Sequence, residues 1–503
     1  MQKKINIVGA GVAGLCAGTY LQMNGYETEI FELHNLPGGL CTAWDRNGYR
    51  FDGCIHWLMG ATPANSMYTF WNELIDMKKL EMVFADEYFV LEDKNGKRLT
   101  IYRNVDKLEN ELLSVAPEDK TEIKRFVKGI RKLTSLDFKS EKPPELMGFG
   151  DVMKMVVSLF PYIRQFLKWK KISLNDYSQR LKNPLLREAV RNGFVPEMAA
   201  LFLIMSLADM SRKGSAYPIG GSLNFAKLLE KSYLDLGGKI HYHAKVKKIS
   251  YAREGSNAKA TGVELENGQL YNADIVISAA DGFDTLFNML DGKFFTDKLR
   301  KYYDKEPVFS SYLQVSLGVN RTFDDVPSSI YFQLENPLKV DPETEKDTIG
   351  FRIFSFDPTL AQPGKTAIVS MVDTYNYEYW VNLRKNDPAV YKAEKRRIAD
   401  AVIEVLEKRI GKVKEFIEVV DVSSPATVLR YTNNWKGSFE GWIMTPKNAF
   451  ELFNSALPGL ENFYMIGQWM SPGGGLPAGL LTGRNIAQLI CARDKKKFVT
   501  QQF

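Results

Sequence analysis

Three glycines and one acidic residue near the start of the sequence have the types and spacing of a nucleotide-binding site. Gly9, Gly11 and Gly14 follow the pattern G-x-G-x-x-G, and Glu32 comes about one helix later. The first glycine permits a tight turn, the second lets the backbone approach a pyrophosphate, and the third lets a helix pack closely on a sheet. A carboxylate at the position of Glu32 accepts hydrogen bonds from a ribose. The expected chemistry is therefore the binding of a dinucleotide.

The segments around these glycines have the order of elements that such a site needs. Residues 5–8 predict a buried parallel strand, residues 13–24 predict a helix that stops at Gly25, and residues 28–31 predict a second strand. The amides at the N-terminus of the helix would point at the phosphates. Because Glu32 would repel a 2′-phosphate, NADP is disfavoured, whereas NAD and FAD are both compatible with these residues.

Further glycine-rich segments lie far from the first one. Gly38 and Gly39 follow the acidic residue, Gly220 and Gly221 lie near the middle of the chain, and residues 473–479 lie between a predicted strand and a predicted helix. Each glycine pair could form an ordinary turn. The last segment, however, again offers backbone amides and a positive helix end. Since a flavin site is assembled from distant segments, these glycines favour FAD over NAD.

The composition excludes several classes of protein. The 503 residues include 66 basic and 60 acidic ones, a balance that argues against a nucleic-acid binder. The four cysteines are scattered without a C-x-x-C motif, so neither a disulfide framework nor a zinc site is predicted. His241 and His243 are better explained as packed or solvated side chains than as metal ligands, because neither a cysteine nor a carboxylate partner lies near them in the sequence. We expect no metal site.

The sequence also bears on the compartment. The first strand begins at Ile5, so we expect no signal peptide, and the uncharged apolar run 198–208 is too short to span a bilayer. Residues 149–172 place apolar side chains at helical spacing, opposite Arg164, Lys168, Lys170 and Lys171. That pattern is typical of helices on a membrane surface, and equally of helices that cover a substrate domain with solvated lysines. We expect a cytoplasmic protein that is free or peripheral on the inner membrane face.

Taken together, the motifs resemble the phytoene dehydrogenase family of FAD-dependent oxidoreductases, and within it the carotenoid isomerase and retinol saturase branch. The motifs that carry the resemblance are the opening fingerprint, the Gly38-Gly39 pair, the run 37–56, the block Tyr217-Pro218-x-Gly220-Gly221 and the C-terminal block 467–479. The resemblance implies an α/β fold, with a discontinuous Rossmann-type FAD-binding domain and an inserted α+β substrate domain. Residues 1–80, 215–300 and 456–503 would form the FAD-binding domain. Residues 81–214 and 301–455, which are similar in architecture only, would form the substrate domain.

The resemblance also implies which residues contact the cofactor. Those implied are Gly9, Gly11, Ala13, Gly14 and Glu32 for the ADP half, Gly38, Gly39 and Leu40 for the pyrophosphate and ribityl chain, Val246 for the adenine, and Gly467, Gln468, Gly474, Leu476 and Gly479 for the ribityl phosphate and the flavin ring. Leu40 and Gln468 depart from the family pattern, in which many relatives carry arginine and aspartate. Each departure weakens one polar contact without removing the site.

His56 is the one residue that the matched block would bring towards the flavin as a proton-transfer group, with an expected pKa near neutrality. The alternative is a histidine whose ring is satisfied by the backbone beside Trp57. The resemblance identifies no other catalytic acid or base.

A bound flavin would supply the redox chemistry, and the protein would supply orientation and an apolar tunnel. The resemblance implies desaturation, saturation or isomerisation of a long unsaturated lipid such as a carotenoid or a retinoid. It leaves open the substrate, the direction and the electron carrier; a single fingerprint disfavours NADPH as the reductant. Two alternatives stay open: a flavin amine oxidase-like enzyme acting on a polar amine, and a non-catalytic lipid carrier of the same fold.

Overall fold

The computed structural model describes residues 2–137, 141–254 and 257–503. Its strands, in chain order, are β1 (Lys4–Val8), β2 (Glu27–Phe31), β3 (Ala43–Arg46), β4 (Tyr49–Asp52), β5 (Leu58–Met59), β6 (Met82–Val83), β7 (Glu87–Glu92), β8 (Arg98–Tyr102), β9 (Ser215–Pro218), β10 (Lys239–His241), β11 (Val246–Glu254), β12 (Asn257–Leu265), β13 (Leu270–Asn272), β14 (Ile275–Ser278), β15 (Ser311–Val319), β16 (Ser329–Lys339), β17 (Glu345–Ile353), β18 (Thr366–Thr374), β19 (Ile417–Ser423), β20 (Leu460–Glu461) and β21 (Phe463–Met465).

The α-helices of the described residues follow the same order. They are α1 (Val12–Met23), α2 (Met67–Asn72), α3 (Val105–Val115), α4 (Lys120–Leu133), α5 (Phe149–Leu159), α6 (Ile163–Lys170), α7 (Leu174–Ser178), α8 (Pro184–Arg191), α9 (Ala200–Ser211), α10 (Gly221–Asp235), α11 (Asp297–Lys305), α12 (Tyr377–Asn386), α13 (Pro388–Ile410), α14 (Pro425–Thr432) and α15 (Gly475–Arg493).

A five-stranded parallel sheet in the order β10-β2-β1-β14-β21 lies at the centre of one half of the molecule. Ile5 and Ile7 face a core shared with α1, α10 and α15, whereas Val8 and Val276 face a core shared with β11 and β12. Burial on both faces explains why these strands read as continuous apolar runs. The predicted α/β, Rossmann-type fold class is confirmed.

The first strand and helix meet as the glycine spacing predicts. Gly9 has φ +96°, a left-handed conformation that favours glycine, and α1 begins three residues later at Val12. A Cβ on Gly14 would clash with the carbonyl oxygen of Gly9, so only glycine lets α1 lie this close to the strand. The packing role predicted for Gly14 is confirmed.

A second, seven-stranded sheet has the order β19-β15-β18-β17-β16-β7-β8. Its strands come from residues 87–102 and 311–423, and β7 pairs in parallel with β16 through Val90 and Ile330. The turn between β7 and β8 contains Asn95 and Gly96, a pair that is typical of hairpins, with Gly96 at φ +84°. α13 packs on this sheet, while α4, α6 and α9 enclose a further core against β7 and β8.

The helices at 149–170 differ sharply in their burial. α5 contains no buried residue, whereas α6 buries Phe166 and Trp169 against α9 and α4. None of the helices in the described part of the chain has the length and apolar character that a bilayer crossing requires. The amphipathic pair predicted here forms, with its apolar residues on α5 left facing solvent.

Candidate functional site

A cleft of about 1150 Å³ opens at the carboxyl ends of β1 and β14, between those strands and the starts of α1 and α15. Ligands of open α/β sheets bind at this edge. Twelve of the residues implied as cofactor contacts line it, namely Gly9, Gly11, Ala13, Glu32, Gly38, Gly39, Leu40, Val246, Gly467, Gln468, Leu476 and Gly479. Gly14 and Gly474 are not among the lining residues.

The glycine turn leaves the backbone open to the cleft. The amide of Gly38 donates to the carbonyl oxygen of Ala10 over 2.8 Å, which holds the second glycine pair against the first. A Cβ on Gly11 would have no neighbour nearer than the Gly38 oxygen at 4.0 Å, so the space in front of its backbone is free. With the N-terminus of α1 directed at the same place, this end of the cleft is suited to an anion such as a pyrophosphate.

The carboxylate of Glu32 lies at the far wall of this end. Its Oε2 accepts from the amide of Ala10 at 2.7 Å, and its Oε1 accepts from the amide of His34 at 2.8 Å. Burial raises the pKa of this carboxyl, while the two amides act in the opposite direction. These bonds fix both oxygens and leave further lone pairs for a ribose hydroxyl.

The opposite end of the cleft is built from the C-terminal glycine segment. Gly467 has φ +100°, and its amide donates to the Oγ1 of Thr482 at 2.9 Å. The Nε2 of Gln468 donates to the Oδ1 of Asn434 at 3.1 Å, so this departure from the family pattern ties the segment to the residues after α14. A Cβ on Gly474 would clash with the backbone of residue 440, which explains why this glycine faces the neighbouring loop.

Other residues of the cleft carry no sequence motif. Residues 431–434 and Asp281 line it, and the Oδ2 of Asp281 accepts from the amide of Trp435 at 2.8 Å. Burial raises the pKa of Asp281 to about 7. Sequence reasoning missed these residues, because no local signal links residues that come together only in the folded chain.

Glu440 is a second acid that the sequence did not identify. Its Oε1 would lie 2.5 Å from a Cβ on Gly475, so its carboxyl lies directly against the glycine segment that lines the cleft. Burial raises its pKa to about 8. A carboxyl that keeps its proton at neutral pH beside a cofactor cleft is suited to proton transfer.

His56 does not line this cleft. It lines a second cavity of about 920 Å³, together with Tyr88, Arg103, Tyr217 and Arg352. Burial, with a smaller contribution from Arg352, lowers the pKa of His56 to about 3. The expectation of a pKa near neutrality is therefore wrong: the ring loses water on folding, which disfavours its charged form.

Of the two histidines considered as a pair, His241 has ordinary partners. His241 hydrogen-bonds to Glu29 at 2.8 Å and stacks on Phe31 with the rings 4.8 Å apart. Across the described ranges, no group of three or more His, Cys, Asp or Glu side chains is arranged to hold a metal ion.

The cleft offers the kinds of groups that bind FAD in this type of fold. The turn at Gly11 leaves open space before the N-terminus of α1, the carboxylate of Glu32 lies beside this turn, and α15 begins at the other end of the cleft. Gly38 has φ +104°, and a Cβ there would clash with the carbonyl oxygen of Cys41, so the narrow turn admits glycine alone.

The sequence is similar to those of known flavin-dependent enzymes and their relatives. The model of the flavin containing amine oxidoreductase family matches residues 12–491. The chain is 26% identical to a chloroplastic prolycopene isomerase of Daucus carota, over 97% of this chain and 79% of that protein. It is 22% identical to a 4,4′-diaponeurosporene oxygenase of Staphylococcus aureus (strain MW2), over 99% of both chains.

Solved structures share the fold. A triple mutant of putrescine oxidase with redesigned cofactor binding has a TM-score of 0.63 at 14% identity, over 98% of this chain and 99% of that one. An oxidoreductase from Methanosarcina mazei has a TM-score of 0.56 at 16% identity, over 95% and 99%. Together with the curated relatives, these findings confirm the resemblance to phytoene dehydrogenase-like flavoproteins, with FAD as the cofactor and oxidoreductase or isomerase activity. The chain belongs to the family of flavin-containing amine oxidoreductases.

Proposed function

We propose that this protein uses FAD to desaturate, saturate or isomerise a long hydrophobic polyene, such as a carotenoid or a retinoid. The observation that carries the proposal is the adjacency of two cavities. Cys54 lines the glycine-rich cleft, and His56, two residues later, lines the second cavity, whose wall includes Tyr88, Phe323 and Phe356. The names of the two curated relatives, which refer to carotenoids, support the same substrate class.

In this proposal, one part of the chain binds the cofactor and another part binds the substrate. We propose that residues 1–80, 215–300 and 456–503 bind FAD, and that residues 81–214 and 301–455 bind the substrate. Within the first unit, Glu32 would hold a ribose, the amides near Gly11 and Gly38 the pyrophosphate, and the backbone of Val246 the adenine. FAD supplies two-electron chemistry when bound.

We assign proton transfer to the carboxyl of Glu440. Because the carboxyl of Glu440 keeps its proton up to a pH of about 8, its Oε1 can donate that proton to a substrate carbon and take one back. The ring of His56 stays neutral under the same conditions and would serve as a hydrogen-bonding group. The role that we propose for His56 in the reaction is therefore that of a neutral imidazole.

A membrane surface is the proposed source of so apolar a substrate. The most exposed apolar residues of α5 and the turn after it are Phe149, Val157 and Phe160, with 84%, 67% and 74% of their surfaces accessible. We call these three residues the α5 patch. Lys154 lies on the same helix, and Lys168 on α6 lies 4.4 Å from the centre of the Trp169 ring. Exposed apolar side chains beside basic ones are suited to an anionic lipid surface.

The experiment that tests the reaction uses the FAD-loaded protein without oxygen. It would be incubated with carotenoids, retinol and unsaturated fatty acids, and the products would be analysed by mass spectrometry. Loss of two hydrogens indicates a desaturase, gain of two indicates a saturase, and an unchanged mass with altered retention indicates an isomerase. Peroxide formed from polar amines in air, with no change in any polyene, would overturn the proposal in favour of an amine oxidase. A purified protein that takes up no FAD would instead indicate a lipid carrier.

A further inference from the structure

Two arginines line the second cavity and lack acidic partners at close range. Arg103 follows β8, and Arg352 lies on β17. The Nε of Arg103 donates to the carbonyl oxygen of Glu87 at 3.1 Å, and the Nη2 of Arg352 lies 3.3 Å from the carbonyl oxygen of His56. The Nη1 of Arg103 and the Nε of Arg352 are buried and hydrogen-bond to no described group.

The two guanidinium groups also repel each other. Burial lowers the pKa of Arg103 to about 10, with a smaller contribution from the charge of Arg352, and burial lowers the pKa of Arg352 as well. Buried charge without a partner is costly in a folded protein unless something else compensates it. An oxyanion between the two groups would relieve the repulsion and accept from both orphaned nitrogens.

The acids of the surroundings compensate the two charges only in part. Asp86 and Asp324 are exposed at the cavity wall, and Asp86 is already 2.7 Å from Lys107. The backbone carbonyl oxygen of Glu87 accepts from Arg103, and the charge of the Glu87 side chain attracts Arg103 from the same wall of the cavity. Asp52 attracts Arg352, but its carboxylate accepts from Ser222 and from the amide of Cys54.

An aromatic surface continues from the same cavity. The ring of Trp57 lies 5.4 Å from that of Tyr88 and 5.6 Å from that of Phe194, and Phe194 lies 4.8 Å from Phe202. These rings are only partly buried. Such a surface is suited to a hydrocarbon chain whose end reaches the arginines.

We propose that Arg103 and Arg352 bind the oxyanion head group, a carboxylate or a phosphate, of a long-chain polyene lipid. The preferred substrate is then a polyene lipid that carries an acidic head group. This inference rests on the proposed polyene function and specifies the end of the substrate that the second cavity holds. The planar fork of arginine matches such oxyanions.

The test compares three ligands that share one polyene chain: retinoate, retinyl phosphate and retinol. Binding to the FAD-loaded full-length protein would be followed by quenching of tryptophan fluorescence. We expect at least one of the two acids to bind about tenfold or more tightly than the alcohol, and Arg103→Gln and Arg352→Gln to remove most of that preference. Arg98 is exposed at the start of β8, the strand that Arg103 follows. The control variant Arg98→Gln should keep the preference for the acid.

The outcomes separate the inference from the function on which it rests. The acid that binds more tightly identifies the head group, and inorganic phosphate should compete with it in the unmodified protein, which requires no variant to fold. Equal binding of retinol and both acids, or an acid preference that survives both arginine substitutions, would overturn the inference while polyene turnover continued. Absence of both binding and turnover for every polyene would overturn the proposed function as well.

Discussion

Asp52 and Ser222 are joined by two hydrogen bonds of 2.6 Å although 170 residues separate them in the sequence. The Oδ2 of Asp52 accepts from the amide of Ser222, and its Oδ1 accepts from the Ser222 hydroxyl. That hydroxyl in turn accepts from the amide of Ile55 at 2.7 Å. The link fastens the segment between the two cavities, which carries Cys54 and His56, to the start of α10.

Replacement of this hydroxyl should destabilise the fold. Ser222→Ala removes one donor to a buried carboxylate and leaves the amide of Ile55 without its acceptor, so we expect a loss of about 2 kcal/mol in the free energy of unfolding. Urea denaturation measures it. Ser158→Ala, at an exposed position on α5, is the matched control and should change stability little. Equal stability of the two variants would contradict this reading of the link.

Glu32 should control the affinity for FAD. Glu32→Gln removes the charge from the hydrogen bond that a ribose hydroxyl would make, so we expect FAD affinity to fall about tenfold or more. Flavin fluorescence during titration of the apoprotein measures it. Glu27→Gln, at the exposed start of β2, the strand that Glu32 follows, is the control. Unchanged affinity in Glu32→Gln would remove this residue from the proposed site.

Glu440 should set the upper pH limit of the reaction. Because its pKa is raised to about 8, we expect the rate to fall as the pH rises above that value, and Glu440→Gln to lose most activity with its FAD absorbance unchanged. Its linkage to stability has a definite sign. A carboxyl that stays protonated in the folded state contributes stability below its unfolded pKa, and that stability is lost as the pH rises from about 4.5 to 8.

The glutamine variant supplies the test of both statements. Wild-type protein should lose stability relative to Glu440→Gln over that interval of pH, as measured by urea denaturation. Full activity in the variant would rule out proton transfer by this residue.

His56 should make the fold sensitive to acid. Its pKa is lowered to about 3 in the folded protein, so the unfolded chain binds an extra proton below about pH 6.5. The stability from the neutral ring is present above pH 6.5 and is lost as the pH falls towards 3, by up to about 2 kcal/mol between pH 7 and 5. His56→Gln should lose less stability than the wild type over this interval. Parallel curves for the two proteins would show that the ring is not desolvated.

The α5 patch should carry membrane binding. Substituting Phe149, Val157 and Phe160 together by Ser removes exposed apolar surface, so we expect binding to anionic vesicles to fall about tenfold or more. Co-sedimentation with vesicles measures it, and added salt should weaken binding through the basic residues nearby.

A triple variant at other exposed apolar positions, outside α5, is the control for this patch. Leu270, Val390 and Val499 have 66%, 44% and 46% of their surfaces accessible, and their joint replacement by Ser should leave vesicle binding unchanged. Equal binding by both triple variants would mean that α5 does not contact lipid.

The local sequence pattern was sufficient to predict the helix and the strand that follow the first glycines of the G-x-G-x-x-G motif. The helix expected at residues 13–24 is observed at Val12–Met23, and the strand expected at 28–31 is observed at Glu27–Phe31. The close packing of α1 expected from Gly14 is also observed. These features depend on apolar periodicity and on glycine conformation, which neighbouring residues determine.

The sequence by itself determined the glycine-rich end of the cleft, where we propose that the phosphates bind, because the spacing of Gly9, Gly11 and Gly14 and the position of Glu32 are local properties of one strand, one turn and one helix. Only the tertiary structure decided where protons and charge lie. Glu440 and Arg352 have no motif around them, and the pKa of His56 depends on burial by residues far away in the chain. Desolvation and the field of neighbouring charges are properties of the packed molecule, so they follow only when its distant segments are brought together.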